Sequence, residues 1–236
     1  MLVAAAVCPC PPLLVPEVAA GAAAELDALR AACKDAVGVL AASRPDRLVV
    51  IGPAGESGRG PYPQGAPGSF HGYGVETTVR LGAGEPAAAP ELPLSLTVAA
   101  WLLERTEWAA APLEGLGVAE SLDPEACART GRELAAAGGR LAMLVMGDGS
   151  ACRTLKAPGY LDERAAGFDA EAARALGAAD TAALAALDSA LAAELRAAGR
   201  APWQVLAGAA EDAGLDGRLL YDDAPYGVGY FVAAWS

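Results

Sequence analysis

At 236 residues the chain can bury a sizeable core, and one domain spanning 1–236 is the default expectation. Acids outnumber bases 29 to 17, a formal charge of −12, which argues against nucleic acid as a partner because counterion release needs clustered Lys and Arg. No stretch approaches the roughly 18 consecutive apolar residues that span a bilayer, so no membrane partner is expected and the chain reads as soluble.

The amino-terminal run "LVAAAV" lacks a basic flank and is short for a leader, so it reads as a first strand rather than a signal segment. Five cysteines, an odd count in a chain too large to need disulfide staples, then imply free thiols in a reducing cytoplasm. After Pro16, Leu26, Leu29, Cys33, Val37 and Leu40 recur at three and four, the stripe of a helix facing a sheet. "RLVVI" at 47–51 is a β-branched run suited to a buried parallel strand, which completes a βαβ unit.

Residues 52–72 are crowded with Gly and Pro and read as a long surface loop. Beyond them Tyr73, Val75, Thr77, Val79 and Leu81 alternate with small or polar residues, which predicts a strand with one wet face and so a mixed sheet. Helices are expected over 94–105 and after Asp123, where Asp-Pro supplies an N-cap followed by proline at the first helical position. "RLAMLVM" at 140–146 is another buried strand, closed by "GDGSA". Asp180 begins a pattern of Leu184, Leu187, Leu191 and Leu195 that predicts one helix ending at Gly199. A short helix from Pro202, a strand "RLLYDD" and a last strand carrying Tyr226, Val228, Tyr230 and Val232 on one face complete the chain.

In an open sheet of βα units the cleft lies beyond the carboxyl ends of the parallel strands. Three strand ends qualify: "VCPCPP", "IGPAGE" and "MGDGSA". Together with "APGYLDERAAGFD", "PWQVLAGAA" and "YGVGYFVA", in that order over nearly the whole chain, they resemble class III extradiol ring-cleavage dioxygenases of the B-subunit type, a group that includes the Memo proteins. The resemblance implies a three-layer α/β domain, a central mixed sheet flanked by helices, and an oxidoreductase cleft. It also implies two histidines and a glutamate holding a ferrous ion, with a third histidine as acid and base.

Matched residue by residue, those three histidine positions are Cys10, Ala54 and Ala151. Ferrous iron in such a site wants two imidazoles and a carboxylate on one face, and alanine offers no lone pair. Neither Glu194 nor Glu211 aligns securely as the glutamate. No cofactor is therefore expected; Fe(II) or Zn(II) would require a non-standard ligand set.

Cys8 and Cys10, two apart on an extended chain, share a face and could chelate a thiophilic ion or pack as small buried hydrophobes. Cys152 offers a third thiol from another strand end. His71, the one imidazole, must serve any histidine acid–base step or else be an exposed loop residue. Asp148, between glycines, could bind a ligand or bond its own turn, whereas Ser150 lacks a base at any suggestive spacing. Glu56, Arg59, Lys156 and Tyr160 lie on loops where small-molecule specificity often resides.

The expectation is a divergent extradiol-dioxygenase-like chain without the family iron, keeping the cleft for a small polar or aromatic small-molecule ligand or altered chemistry. The rivals are a metal-dependent ring-cleavage dioxygenase with unusual ligands and a non-catalytic interaction protein. Assembly as a homo-oligomer is compatible with all three.

Overall fold

The computed structural model describes residues 1–236. In chain order it contains β1 (Leu2–Cys8), α1 (Pro16–Ala19), α2 (Asp27–Ala42), β2 (Arg47–Ala54), β3 (Gly60–Tyr62), β4 (Pro67–Ser69) and β5 (Thr78–Arg80). There follow α3 (Leu94–Arg105), β6 (Leu113–Ala119), α4 (Pro124–Ala136), β7 (Leu141–Met146), α5 (Ala165–Gly177), α6 (Thr181–Ala185) and α7 (Ser189–Glu194). The chain closes with α8 (Arg200–Ala210), β8 (Gly217–Asp223) and β9 (Tyr230–Trp235).

Seven strands form one mixed sheet in the order β3-β6-β2-β7-β1-β9-β8. The four central strands β6, β2, β7 and β1 run parallel, and β3, β9 and β8 join antiparallel at the flanks. Because both faces are covered, the central strands read as continuous apolar runs whose alternate residues enter opposite layers. Ala4, Ala6 and Cys8 of β1 pack with α2 and α3, while Leu2, Ala5 and Val7 pack with α5 and α8. The result is a three-layer α/β architecture. No helix is long and apolar enough to cross a membrane.

Small residues set the helix spacing on the second face. A side chain at Gly131 of α4 would strike the Val205 carbonyl, and one at Gly208 of α8 would strike that of Ala128, so the two helices touch along their backbones. Trp203 and Phe231 fill the space beneath, with ring centroids 5.9 Å apart.

Several expectations need correction. The strand expected over 73–81 shortens to β5, which pairs with β4 in a separate two-stranded sheet outside the main one. Gly74 explains this, since at φ 81° it ends a 3-10 turn at His71–Tyr73 and interrupts the alternation. The loop 52–72 in turn contains β3 and β4, short strands without an apolar period. The main sheet is mixed for a different reason, its antiparallel flanks. The helix expected from Asp180 to Gly199 is broken into α6 and α7, because Asp188 turns its carboxylate back onto the Ala190 and Leu191 N–H groups and starts a new helix. Tyr226 and Val228 precede β9 rather than belonging to it. Strand β6 was not expected at all. The cap at Asp123 is as read, its carboxylate accepting from Glu125 and Ala126 N–H.

Candidate functional site

The carboxyl ends of the four parallel strands sit side by side, with β7 between β2 and β1. Cys8 is in register with Met146, so both chains leave the sheet together, and the Gly147 N–H donates to the Cys8 carbonyl at 3.0 Å. Gly147 then passes so close to Gly199 that a side chain there would strike it, and the Gly199 N–H donates to the Asp148 carbonyl at 2.8 Å. This tight exit aims the Asp148 carboxylate at β1, where Oδ1 accepts the Cys10 N–H at 2.7 Å.

Asp148 is half-buried and has no cationic partner. Burial pushes its carboxyl up to about 7; the Cys10 N–H opposes that rise and the Glu120 charge adds to it. Burial likewise lifts the Cys10 thiol well above its ordinary value, reinforced by Asp148 and Glu120, which disfavours the thiolate and makes the sulfur a poor nucleophile. Tyr230, 3% exposed, has its phenol raised by burial and then by Asp148 and Cys10. The half-exposed Tyr73 is raised by burial and by Cys10, which places the turn 71–73 over the same cluster. The arrangement offers a carboxyl group able to give or take a proton near neutrality, with phenols beside it.

A second, quite different aspartate reaches the same loop from α5. Asp169, 1% exposed, accepts the Ser150 N–H at 2.7 Å and the Ser150 hydroxyl at 2.8 Å, and Arg153 reaches it at 3.0 Å. Ser150 is thereby occupied as a structural donor rather than free as a nucleophile. Ala151 is tied on both sides, donating to the Leu195 carbonyl and accepting from Gly159 N–H.

The remaining candidates disperse. Cys8 is fully buried and faces the Cys33 thiol of α2, in the same core layer as Cys10 but beneath the surface of the cleft. Cys152 lies in the opposite layer with its thiol directed at the Leu195 carbonyl, 3.5 Å away, which dissolves the three-thiol arrangement. His71 is exposed, 3.5 Å from Glu76, and lines a groove of about 960 Å³ walled by β4, β5 and the end of α3. Glu56, Arg59, Lys156 and Tyr160 are exposed on loops. Glu194 and Glu211 form surface ion pairs with Arg164 and Arg132.

No three His, Cys, Asp or Glu side chains converge where they could share an ion. With Ala54 and Ala151 offering only methyl groups and Cys10 a single sulfur, the donors at the strand ends do not fit a ferrous ion that wants two imidazoles and a carboxylate.

Sequence reasoning missed Glu120, Tyr73 and Asp169. Glu120 follows β6, whose inward positions include Gly115 and Gly117, too small to register as an apolar period. Side chains there would meet Leu81 and the Gly58 backbone. The partnership of Asp169 with Ser150 spans 19 residues and leaves no local trace.

Comparison with models of known families finds no match, and none of the curated proteins matches either. Among solved structures the chain is similar to the uncharacterized protein JW3007 from Escherichia coli K12, with a TM-score of 0.54 and 13% identity over 99% of each chain. Likeness at that identity speaks to the fold.

Proposed function

We propose that this chain is a divergent relative of the class III extradiol dioxygenases that uses the strand-end cleft for a small polar or aromatic ligand, without the family iron. The observation that carries this reading is the Asp148 carboxyl: bonded to the Cys10 N–H, raised to about 7 and flanked by Tyr230, it occupies the mouth of the parallel strands. Such a group can protonate or deprotonate a bound hydroxyl, and the neighbouring phenols can flank a ring. A cytoplasmic setting belongs with this reading, since all five thiols are free and buried.

The test is anaerobic reconstitution with ferrous iron followed by catechol and dioxygen. The expected result is no stoichiometric iron and no ring-opened product, together with saturable catechol binding that Asp148→Ala removes. Stoichiometric iron with ring cleavage would replace this reading by a dioxygenase with unusual ligands.

A second reading, a non-catalytic interaction protein, is favoured by one observation. Grooves of about 960, 460 and 350 Å³ open elsewhere on the molecule, whereas Cys10 and Ala54 are only 6% and 5% exposed. Absence of catechol binding to the unaltered chain supports that alternative.

A further inference from the structure

Away from the strand ends, helices α2 and α3 lie on the same face of the sheet and leave a groove of about 460 Å³ between them and α1. Its charge runs against that of the molecule. In a chain where acids outnumber bases 29 to 17, this one groove gathers Arg30 and Lys34 from α2 and Arg105 from α3. The helix period places them there: Arg30 and Lys34 are four apart, as are Trp101 and Arg105.

The three cations are not equally engaged. Arg30 is committed to Asp27 at 2.6 Å and to the carbonyls of Leu14 and Ala23. Arg105 stacks over the Trp101 ring, 5.6 Å from its centroid, and meets Glu17 only at 3.5 Å. Lys34 is exposed and forms no ion pair. Trp101 lines the groove, is 5% exposed, and carries a buried indole N–H with no acceptor, a group that ordinarily finds one. Pro16, Ala31 and Leu102 supply the apolar part of the wall, and Glu17 and Thr106 its remaining polar groups.

We infer that the groove between α2 and α3 binds a small organic carboxylate, its head group held by Lys34 and Arg105 and its apolar body lying along Trp101 and Leu102. A guanidinium already held near an indole face by a cation–π contact can offer its donors to a carboxylate with less further ordering than a free side chain needs. Glu17 in the wall offsets part of the positive charge, which suits one negative group on an apolar body better than a phosphate dianion. The volume falls within the range of small-molecule sites. This site shares no residue with the strand-end cluster and does not depend on the function proposed there.

The test is calorimetric titration of the full chain at low ionic strength with benzoate, and separately with inorganic phosphate. The expected result is saturable benzoate binding in the millimolar range or tighter that weakens with added salt, with phosphate binding at least roughly tenfold weaker. Lys34→Glu and Arg105→Gln should each weaken benzoate by roughly tenfold, and Trp101→Phe by a smaller factor, whereas Lys156→Glu, at the other lysine, should leave it unchanged. Circular dichroism confirms that the variants fold. Benzoate binding that is absent at about 10 mM, or indifferent to Lys34→Glu and Arg105→Gln, overturns the assignment. Preference for phosphate overturns the carboxylate class.

Discussion

Asp148 and Asp169 attach to the same short loop, Asp148 as a member of it and Asp169 through both polar groups of Ser150, yet they face opposite chemistry. Asp169 has two Ser150 donors and the Arg153 guanidinium, so its rise, caused by burial, is opposed by three partners. Asp148 has one backbone N–H and the unfavourable Glu120 charge, and rises to about 7. Burial raises both carboxyls, and the two differ in how many donors oppose that rise. The well-partnered one builds the loop, and the poorly partnered one is free to exchange a proton.

The largest effect should come from breaking the well-partnered side. Asp169→Ala strands the Ser150 N–H and hydroxyl in the interior and is expected to cost about 3 kcal/mol, read from urea unfolding. Arg153, whose side chain is 31% exposed, can turn to water and adds little. A loss below about 0.5 kcal/mol would erase the contrast between the two sites.

On the other side the sign of the pH dependence sharpens the comparison. The folded-state value of Asp148, about 7, lies above its ordinary 3.8, so its stabilising contribution is complete below about pH 4 and is lost as pH rises through about 7. Asp148→Asn keeps an acceptor for the Cys10 N–H and removes this slope. It should be more stable than the unaltered chain at pH 8, by about 2 kcal/mol once the roughly 4 kcal/mol implied by the full shift is reduced for the partial exposure of Asp148, and nearly equal to it at pH 4, by thermal unfolding across that window. Carboxyl NMR offers a direct reading: Asp148 should titrate near 7. A resonance that titrates near 4 would remove the basis for proton transfer at this cleft.

The smallest effect marks the solvent-exposed limit. Asp188 caps α7 through the Ala190 and Leu191 N–H groups, at 2.8 and 3.0 Å. Asp188→Ala should cost about 1 kcal/mol in thermal unfolding, because water replaces the lost acceptor.

Most of the layer architecture was legible, since β1, β2 and β7 are uninterrupted apolar runs and α2 keeps its period. The legible part of the site was the position of Asp148, because glycines on either side of an acid at a strand end mark a close approach. Glu120 and Tyr73 were not legible, since neither is near Cys10 in the chain and both reach it only through the sheet order and the turn at His71–Tyr73. Periodicity also misled at Asp188, where an unbroken leucine pattern conceals a side chain that prefers to cap.

By itself the sequence determined the alternation of strands and helices, the acidic surface, and the lack of the imidazoles a ferrous centre needs. These depend on residue type and on periods within a few turns of chain. Tertiary structure alone decided that Cys8 faces Cys33, that Asp148 rather than Asp169 is left short of partners, and that Lys34 and Arg105 share a groove. Each of those outcomes depends on which strands and helices lie adjacent, and adjacency arises from burying both faces of the sheet at once.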